Sequence, residues 1–569
     1  MGYNIIVQAG GKGTRLEGLT KNKPKCLVPY DNLPLIFHLF KKFPKAKFTI
    51  IADYKVEVLQ KYLDIFAQDY DWRILPANGS GTLSGIGEAV KEFSEDESFM
   101  VIWCDLILSS EFSLPCGLSQ SKHNVLNLKK QSKKSAKLTP PPPHCQQHSK
   151  LKISSPQHNS KSIAACEKDI KRHDLTSSKP ASAENSQNFV GISSDFECRW
   201  SFENGKFVHK ASFENGVAGL FIFANKQCLK SIPKDGALVK WLQTQEIEFS
   251  PLDLKHSKEI GTLLVYNELN PQNLTRPFNK IEFKNQLAIK TPLDAQGREI
   301  AAKEVAWYRF VNELNFTQIP QIYDYAPLTM KKIAGKNIFE YECLLKSQKK
   351  EILQGIINAL EALHALSPKR EANDADSEQT YITKTFERLD LIAPLVPFSD
   401  KEFIKINARY YKNPLFEREK IARLARTHFA REFALIHGDC TFSNMLFDSF
   451  NEKVVLIDPR GYFGKTQFFG DTDYDWAKLY YSICGDYDQF NRKKFTLLIK
   501  ENEAEMMIKT SGWSDMEECF FDMLPRVSKD KIKLLHALIW LSLTSYAWED
   551  YDSICAAFYR GTMLLEGTL

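Results

Sequence analysis

The 569 residues are 43% hydrophobic and carry 75 basic against 70 acidic side chains, a formal charge of +5. That length exceeds what one hydrophobic core usually holds, so two or three domains are expected, and so weak a basic excess gives no reason to invoke nucleic acid. The 12 cysteines form no CxxC pair or metal-type spacing, no apolar run is long enough to span a membrane, and the chain opens on an apolar strand rather than a secretion signal. A reducing, cytoplasmic compartment is therefore expected.

In chain order, the first informative element is Asn4-Ile5-Ile6-Val7-Gln8-Ala9, a nearly continuous apolar run, followed by Gly10-Gly11-Lys12-Gly13-Thr14-Arg15. This is the arrangement of a buried parallel strand that delivers a backbone-rich loop to phosphates. Without Cβ atoms, Gly10, Gly11 and Gly13 let the loop amides, with that of Thr14, approach anionic oxygens, while Lys12 and Arg15 add positive charge. The spacing fits neither a Walker A loop nor a dinucleotide fingerprint. Lys25, in Lys23-Pro24-Lys25, is placed to meet an incoming phosphate. Gly79-Ser80-Gly81-Thr82-Leu83-Ser84-Gly85-Ile86 reads as a strand-to-helix connection. Phe99-Met100-Val101-Ile102-Trp103-Cys104-Asp105 reads as a buried strand that ends in a carboxylate at the crevice side of a sheet, where a Mg²⁺ ligand belongs.

This ordered set resembles the sugar-1-phosphate nucleotidyltransferase family. The resemblance implies an α/β domain with a mostly parallel sheet, with Arg15 and Lys25 catalytic and Gly10 to Thr14 on the NTP phosphates. It also implies Gly81 and Thr82 in a loop facing base and sugar, and Asp105 on the metal. Gly216-Val217-Ala218-Gly219-Leu220-Phe221-Ile222-Phe223 is similar to the family's glycine turn and strand beside the acceptor. Glu259-Ile260-Gly261-Thr262 is similar to a segment whose acidic residue helps hold metal, although aspartate is usual where Glu259 stands. Residues 119–188, rich in Ser, Lys, Gln, His and Pro, read as a flexible insertion in this domain, which is expected to span 1–270. Within it the Pro140 to Pro143 run suits a polyproline segment, and His144, Cys145 and His148 do not complete a metal set.

The second domain, expected over 271–569, opens on Phe278-Asn279-Lys280-Ile281-Glu282-Phe283 and Gln286-Leu287-Ala288-Ile289-Lys290, which read as neighbouring strands of a small antiparallel sheet. Glu304 lies on an amphipathic helix behind them. A strand lysine paired to a helix carboxylate orients the ammonium toward ATP phosphates, which is the expectation for Lys290 and Glu304. Ile319 to Tyr325 and Met330 to Gly335 read as sheet and hinge. Farther on, Ile436-His437-Gly438-Asp439 with Asn444, then Ile457-Asp458-Pro459-Arg460, can return three polar side chains to one face. Phosphoryl transfer needs positioning and charge compensation more than a strong nucleophile, and these residue types suit it. His437 reads as a brace.

This second set resembles the aminoglycoside phosphotransferase and choline kinase superfamily, including bacterial capsule-associated kinases. The resemblance implies a two-lobed α+β, protein-kinase-like domain in which Asp439 orients or deprotonates an acceptor hydroxyl while Asn444 and Asp458 hold Mg²⁺. Arg460 suits either an anionic group or a salt bridge inside the lobe. Asp475 suits a structural partner of the catalytic loop, and Trp476 either an acceptor pocket or the core.

The combined expectation is a multifunctional transferase that uses Mg²⁺, ATP as phosphoryl donor and a second NTP. It phosphorylates a sugar or sugar-like metabolite and converts it to a nucleotide-activated precursor for capsule or another surface glycan. CTP, UTP and GTP are all open as the nucleotidyl donor. Two alternatives stand beside it: a choline kinase joined to a phosphocholine cytidylyltransferase, with an amino-alcohol acceptor, and a partly inactive scaffold. No nucleic-acid partner is expected, and homo-oligomerisation stays open.

Overall fold

The computed structural model describes residues 3–77, 79–115, 187–270, 279–448, 451 and 453–568. The insertion expected over 119–188 lies outside the described residues up to 186, with its proline run and with His144, Cys145 and His148; so do Phe278 and the expected domain junction at 270/271.

The N-terminal unit is built on β1 (Asn4–Gln8), β2 (Lys47–Ala52), β3 (Asp71–Pro76) and β4 (Phe99–Trp103). β1 lies between β2 and β4, parallel to both, and β2 pairs parallel with β3. Every residue of β1 is buried, the outcome expected when helices cover both faces of a parallel sheet. Helices α1 (Leu35–Lys42) and α2 (Val56–Phe66) cover this region with their apolar faces. Five further strands, β5 (Asn188–Ser193), β6 (Ser201–Glu203), β7 (Lys206–Val208), β8 (Gly216–Phe223) and β9 (Phe249–Asp253), extend the sheet to nine strands among the described residues. The order is β7-β6-β8-β4-β1-β2-β3, with β5 beside β8 and β9 beside β5. β8 runs antiparallel to β4, so the parallel core carries a mixed edge. The segment 216–223, expected as a turn and then a strand, is one wholly buried strand. Gly219 keeps the turn character within it: φ is +78°, and a Cβ there would fall 1.2 Å from the Trp103 ring.

The C-terminal unit opens with four antiparallel strands, β10 (Asn279–Lys284), β11 (Leu287–Pro292), β12 (Ile322–Tyr325) and β13 (Leu328–Lys331), in the order β10-β11-β13-β12. Helix α3 (Ala295–Glu313) lies between β11 and β12 in the chain, its start capped by Asp294, whose carboxylate accepts from the Gly297 amide at 2.7 Å. The larger lobe contains α4 (Lys346–His364), α5 (Lys384–Ile392), the hairpin β14 (Met445–Asp448) and β15 (Lys453–Leu456), α6 (Thr472–Ile483), α7 (Lys529–Leu543) and α8 (Tyr551–Leu565). α7 packs along α8, α6 and α5. α5 continues from a π-helical stretch, Glu378–Thr383, the wider coil often found near working sites.

The two units meet through a buried polar joint. The Asn22 amide donates to the Leu497 carbonyl at 2.9 Å and accepts from the Ile499 amide at 3.0 Å. Lys23, 1% exposed, donates to Asp550 at 2.9 Å and Asp552 at 2.6 Å, at the start of α8. Beside it the Trp548 ring packs on Phe37 and Phe66, and its carbonyl accepts from the Tyr62 hydroxyl. Among the described residues no helix is long and apolar enough to cross a membrane.

Candidate active sites

In the N-terminal unit, Gln8 and Trp103 stand opposite each other at the carboxyl ends of β1 and β4, so the glycine loop and Asp105 leave the sheet on the same edge. That edge is where open α/β sheets bind ligands. β4 ends at Trp103, and Asp105 sits two residues beyond it in a turn rather than at the strand end. Gly13 has φ of +64°, and a Cβ there would crowd Thr20 at 2.9 Å and Lys25 at 3.1 Å, so glycine lets the loop fold back on Lys25. Lys12 is partly buried or more open and Arg15 is exposed, while Lys25 is buried with its ammonium on the Asp105 carboxylate.

Glu259 pairs with Leu106 across a short antiparallel bridge, and the Ile260 amide donates to the Asp105 carbonyl at 2.9 Å. The two acids thus share one crevice. Burial, and then the Asp105 carboxylate, push the Glu259 carboxyl up, against the pull of Lys25, Arg15 and Arg199. Arg199 went unread in the sequence because nothing local links it to Glu259. The loop carrying Gly81 and Thr82 is fastened to β1: the Gln8 side-chain amide donates to the Thr82 and Ser84 carbonyls at 2.8 and 2.9 Å. The Thr82 hydroxyl accepts from the Leu238 amide at 2.8 Å, and Gly81, with φ of +80°, lies against the Gly236 backbone.

In the C-terminal unit, Lys290 on β11 reaches Glu304 on α3 at 2.7 Å and Asp458 at 2.9 Å. Burial works to lower the Lys290 ammonium, but Asp458 and Glu304 outweigh it and hold it up. Glu304, 2% exposed, is pushed up to about 7 by burial, against Lys290. Asp458 follows β15 in the left-handed region, φ +54°, a conformation that aspartate tolerates better than most residues.

The catalytic loop is held from behind by Asp475 on α6. Its carboxylate accepts from the His437 amide at 2.9 Å and the Gly438 amide at 2.7 Å, and meets His364 at 3.1 Å. Burial opposes ionisation of Asp475, but His364, His437 and these hydrogen bonds keep it below the usual carboxylate range. His437 is wholly buried. Its Nε2 donates to the Ile457 carbonyl at 2.9 Å and its Nδ1 accepts from the Asp439 amide at 3.3 Å, which makes the ring neutral. The Asn444 side chain donates to the Asp439 carbonyl and carboxylate at 2.9 and 3.0 Å, and its carbonyl accepts from the Ile457 amide next to Asp458. Asp439, Asn444 and Asp458 are thereby gathered around one hairpin. Trp476 is buried, edge-on to His364.

The sequence reading missed a group of cations on the other side of Asp439. Lys478, one turn after Tyr474 on α6, forms an ion pair with Asp439 at 3.0 Å. Arg460 donates to the Tyr474 hydroxyl at 2.9 Å and stacks over Tyr462, while Arg388 on α5 donates to the Ser542 carbonyl. Lys384, one turn before Arg388, completes the group.

Among the described residues no set of three or more His, Cys, Asp or Glu is placed to hold a metal. The oxygen sets present, Asp105 with Glu259 and Asn444 with Asp458, fit Mg²⁺, which takes one or two side chains and fills the rest of its shell with phosphates and water. In the first set a divalent cation would relieve the repulsion that lifts Glu259.

Residues 5–114 match the MobA-like NTP transferase domain, and residues 286–494 match the phosphotransferase enzyme family. Similar proteins include the bifunctional protein GlmU of Methanocaldococcus jannaschii, 32% identical over 19% of this chain and 26% of that protein. Mannose-1-phosphate guanyltransferase of Candida albicans is 31% identical over 19% of this chain and 32% of that protein. The chain spans less than half the length of these curated relatives. Among solved structures, a choline/ethanolamine kinase family protein from Mesorhizobium loti is 15% identical, covering 51% of this chain and 85% of that one, with a TM-score of 0.32. The chain thus carries a nucleotidyltransferase domain of the MobA-like NTP transferase type followed by a domain of the phosphotransferase enzyme family, both of them enzyme families.

Proposed function

We propose that the two units act in sequence on one small molecule, the unit after about residue 270 phosphorylating a sugar or sugar-like alcohol and the unit before it joining that product to a nucleotide. The observation that carries the reading is Lys290, held between Glu304 and Asp458 and facing the hairpin that gathers Asp439 and Asn444. That arrangement suits an ammonium that steadies ATP phosphates and a carboxylate that receives the acceptor's proton. In the other unit, Lys25 and Arg15 flank the glycine loop opposite Asp105, which suits stabilisation of the NTP phosphates as pyrophosphate leaves. Mg²⁺, held by Asp105 with Glu259 and by Asn444 with Asp458, would supply charge neutralisation at the phosphates in both reactions. A sugar phosphate as the nucleotidyl acceptor is supported by relatives named for mannose 1-phosphate and glucose 1-phosphate. The resemblance to capsule-associated kinases supports a surface polysaccharide as the destination.

The test is a mass-spectrometric product matrix: protein, Mg²⁺ and ATP with each of CTP, UTP and GTP, against pools of sugars, polyols and choline. A phosphorylated sugar followed by its nucleotide conjugate is the expected result. Asp439→Asn and Asp458→Ala should each remove the first product while transfer to a supplied sugar phosphate persists. CDP-choline as the product, or near-normal phosphorylation by Asp439→Asn, would refute the reading.

A further inference from the structure

The acceptor side of Asp439 carries four cations. Lys384 and Arg388 stand one turn apart on α5 and therefore share a face of that helix, Arg460 follows Asp458 by two residues, and Lys478 projects from α6. All four are partly buried. Each is among the strongest electrostatic neighbours of Lys384, and the carboxylate in that set is Asp439, which already has Lys478 at 3.0 Å. The other groups acting on Arg388 and Arg460 are the tyrosines 462, 474 and 546, neutral at physiological pH.

Lys384 is the least compensated of the four. Among the described residues it has no hydrogen bond or ion pair, and burial together with Arg460, Arg388 and Lys478 drives its ammonium well below its ordinary value. Gathering like charges in a partly enclosed space is unfavourable unless an anion joins them, and the chain itself contributes one carboxylate there. Phosphoryl transfer already has Lys290 on the opposite side, so these charges exceed what ATP alone calls for.

We propose that the alcohol phosphorylated by the C-terminal unit bears an anionic group of its own, a phosphate ester or a carboxylate, bound by Lys384, Arg388 and Arg460 while its hydroxyl faces Asp439. This rests on the kinase reading above and narrows it: a quaternary ammonium acceptor would be repelled, and a neutral sugar would leave Lys384 unpaired. In the reaction the hydroxyl oxygen bonds to the γ-phosphorus as the bond to the β–γ bridging oxygen breaks. ADP takes that electron pair, and the hydroxyl proton passes to Asp439.

The full-length protein with Mg²⁺ and ATP is assayed for ADP release against matched acceptors: neutral hexoses, hexose 6-phosphates, hexuronic acids and choline. The phosphate and carboxylate arms separate the two sources of the anion. Turnover should appear with one of the anionic classes. Lys384→Met and Arg388→Met should raise the KM for that acceptor on the order of 10- to 100-fold, the range of a lost charge-assisted hydrogen bond, with a smaller change in the KM for ATP. Arg388→Lys should recover part of the loss. Faster turnover of a neutral hexose or choline than of any anionic acceptor would overturn the proposal while sparing the kinase reading. So would variants whose loss falls equally on ATP, because the cations would then serve the transferred phosphate. If no acceptor is turned over, calorimetry with inorganic phosphate decides: binding that Lys384→Met abolishes supports the anion site and sinks the kinase reading, and phosphate binding that is absent or indifferent to the substitution sinks the anion site.

Discussion

Replacing Lys23 with methionine keeps the length of the side chain and removes its charge, so it isolates the ionic part of the joint between the two units. Lys23 is 1% exposed, and its partners Asp550 and Asp552 have side chains 5% and 13% exposed. Removing one partner from a buried ion pair costs about 3–5 kcal/mol, chiefly because the remaining charge stays buried without compensation. Here Lys493 stays 3.5 Å from Asp550, and the Ser553 hydroxyl donates to it at 2.7 Å, which favours the lower end, about 3 kcal/mol. If that energy opens the joint locally, hydrogen exchange there should quicken by roughly two orders of magnitude. Exchange measured by mass spectrometry on peptides containing Ile499 and Asp552, whose amides bond across the joint and within the α8 cap, reads this directly. Nucleotidyl transfer should fall with it, because Lys25 lies two residues from the lost anchor and carries the contact to Asp105. Adding Asp552→Asn to Lys23→Met should restore part of the protection. Exchange within about twofold of wild type at both amides would refute the claim that Lys23 holds the units together.

Asp105→Ala should lower pyrophosphate release from NTP and sugar phosphate by roughly a hundredfold or more while leaving acceptor-dependent ATP consumption, as read by coupled assays for each product. Gly219→Ala should destabilise the N-terminal unit by at least about 2 kcal/mol in denaturant unfolding, from the left-handed backbone plus the clash with Trp103; the Trp103→Ala background should soften the loss. His536 is buried and accepts from the Trp540 indole at 3.0 Å, and burial holds its ring well below the ordinary value of 6.5. The unfolded chain therefore binds the extra proton first, so stability is present above about 6.5 and falls as pH drops below it, by up to about 1.4 kcal/mol per pH unit. His536→Gln should flatten that part of the pH profile.

Much of the fold could be read from local pattern. β1 and β4 show as unbroken apolar runs because both faces of their sheet are covered, and the Lys290–Glu304 pair shows because a strand lysine is followed within fourteen residues by a helix carboxylate. Asp439, Asn444 and Asp458 fall within one hairpin, so short spacing alone brings them together. Lys23 could not be read in this way: its partners lie 527 and 529 residues away, and a lysine beside a proline looks like an exposed turn. Lys384 and Arg388 were hidden for a related reason. Charged residues at helical spacing ordinarily mark a solvated face, and only the packing of α5 against the catalytic loop's surroundings turns that face inward. Gly219 shows how a local rule can be half right: glycine did signal a left-handed residue, but inside a buried strand rather than before it.

The π-helical stretch Glu378–Thr383 has a consequence for how insertions and deletions would be tolerated here. A π turn is an α turn that has taken in about one extra residue, and it can be closed by removing one. An α-helix advances about 100° per residue, so a single-residue deletion within 378–383 would let the coil relax to an ordinary helix and swing everything after it by more than a quarter turn. The first side chains to move would be Lys384 and Arg388, and with them Phe386 and Leu389, now buried on the same helix. A deletion five or more residues from any charged group of the pocket would thus act on it as a rotation, whereas a substitution at the same place would leave the phase of the helix untouched.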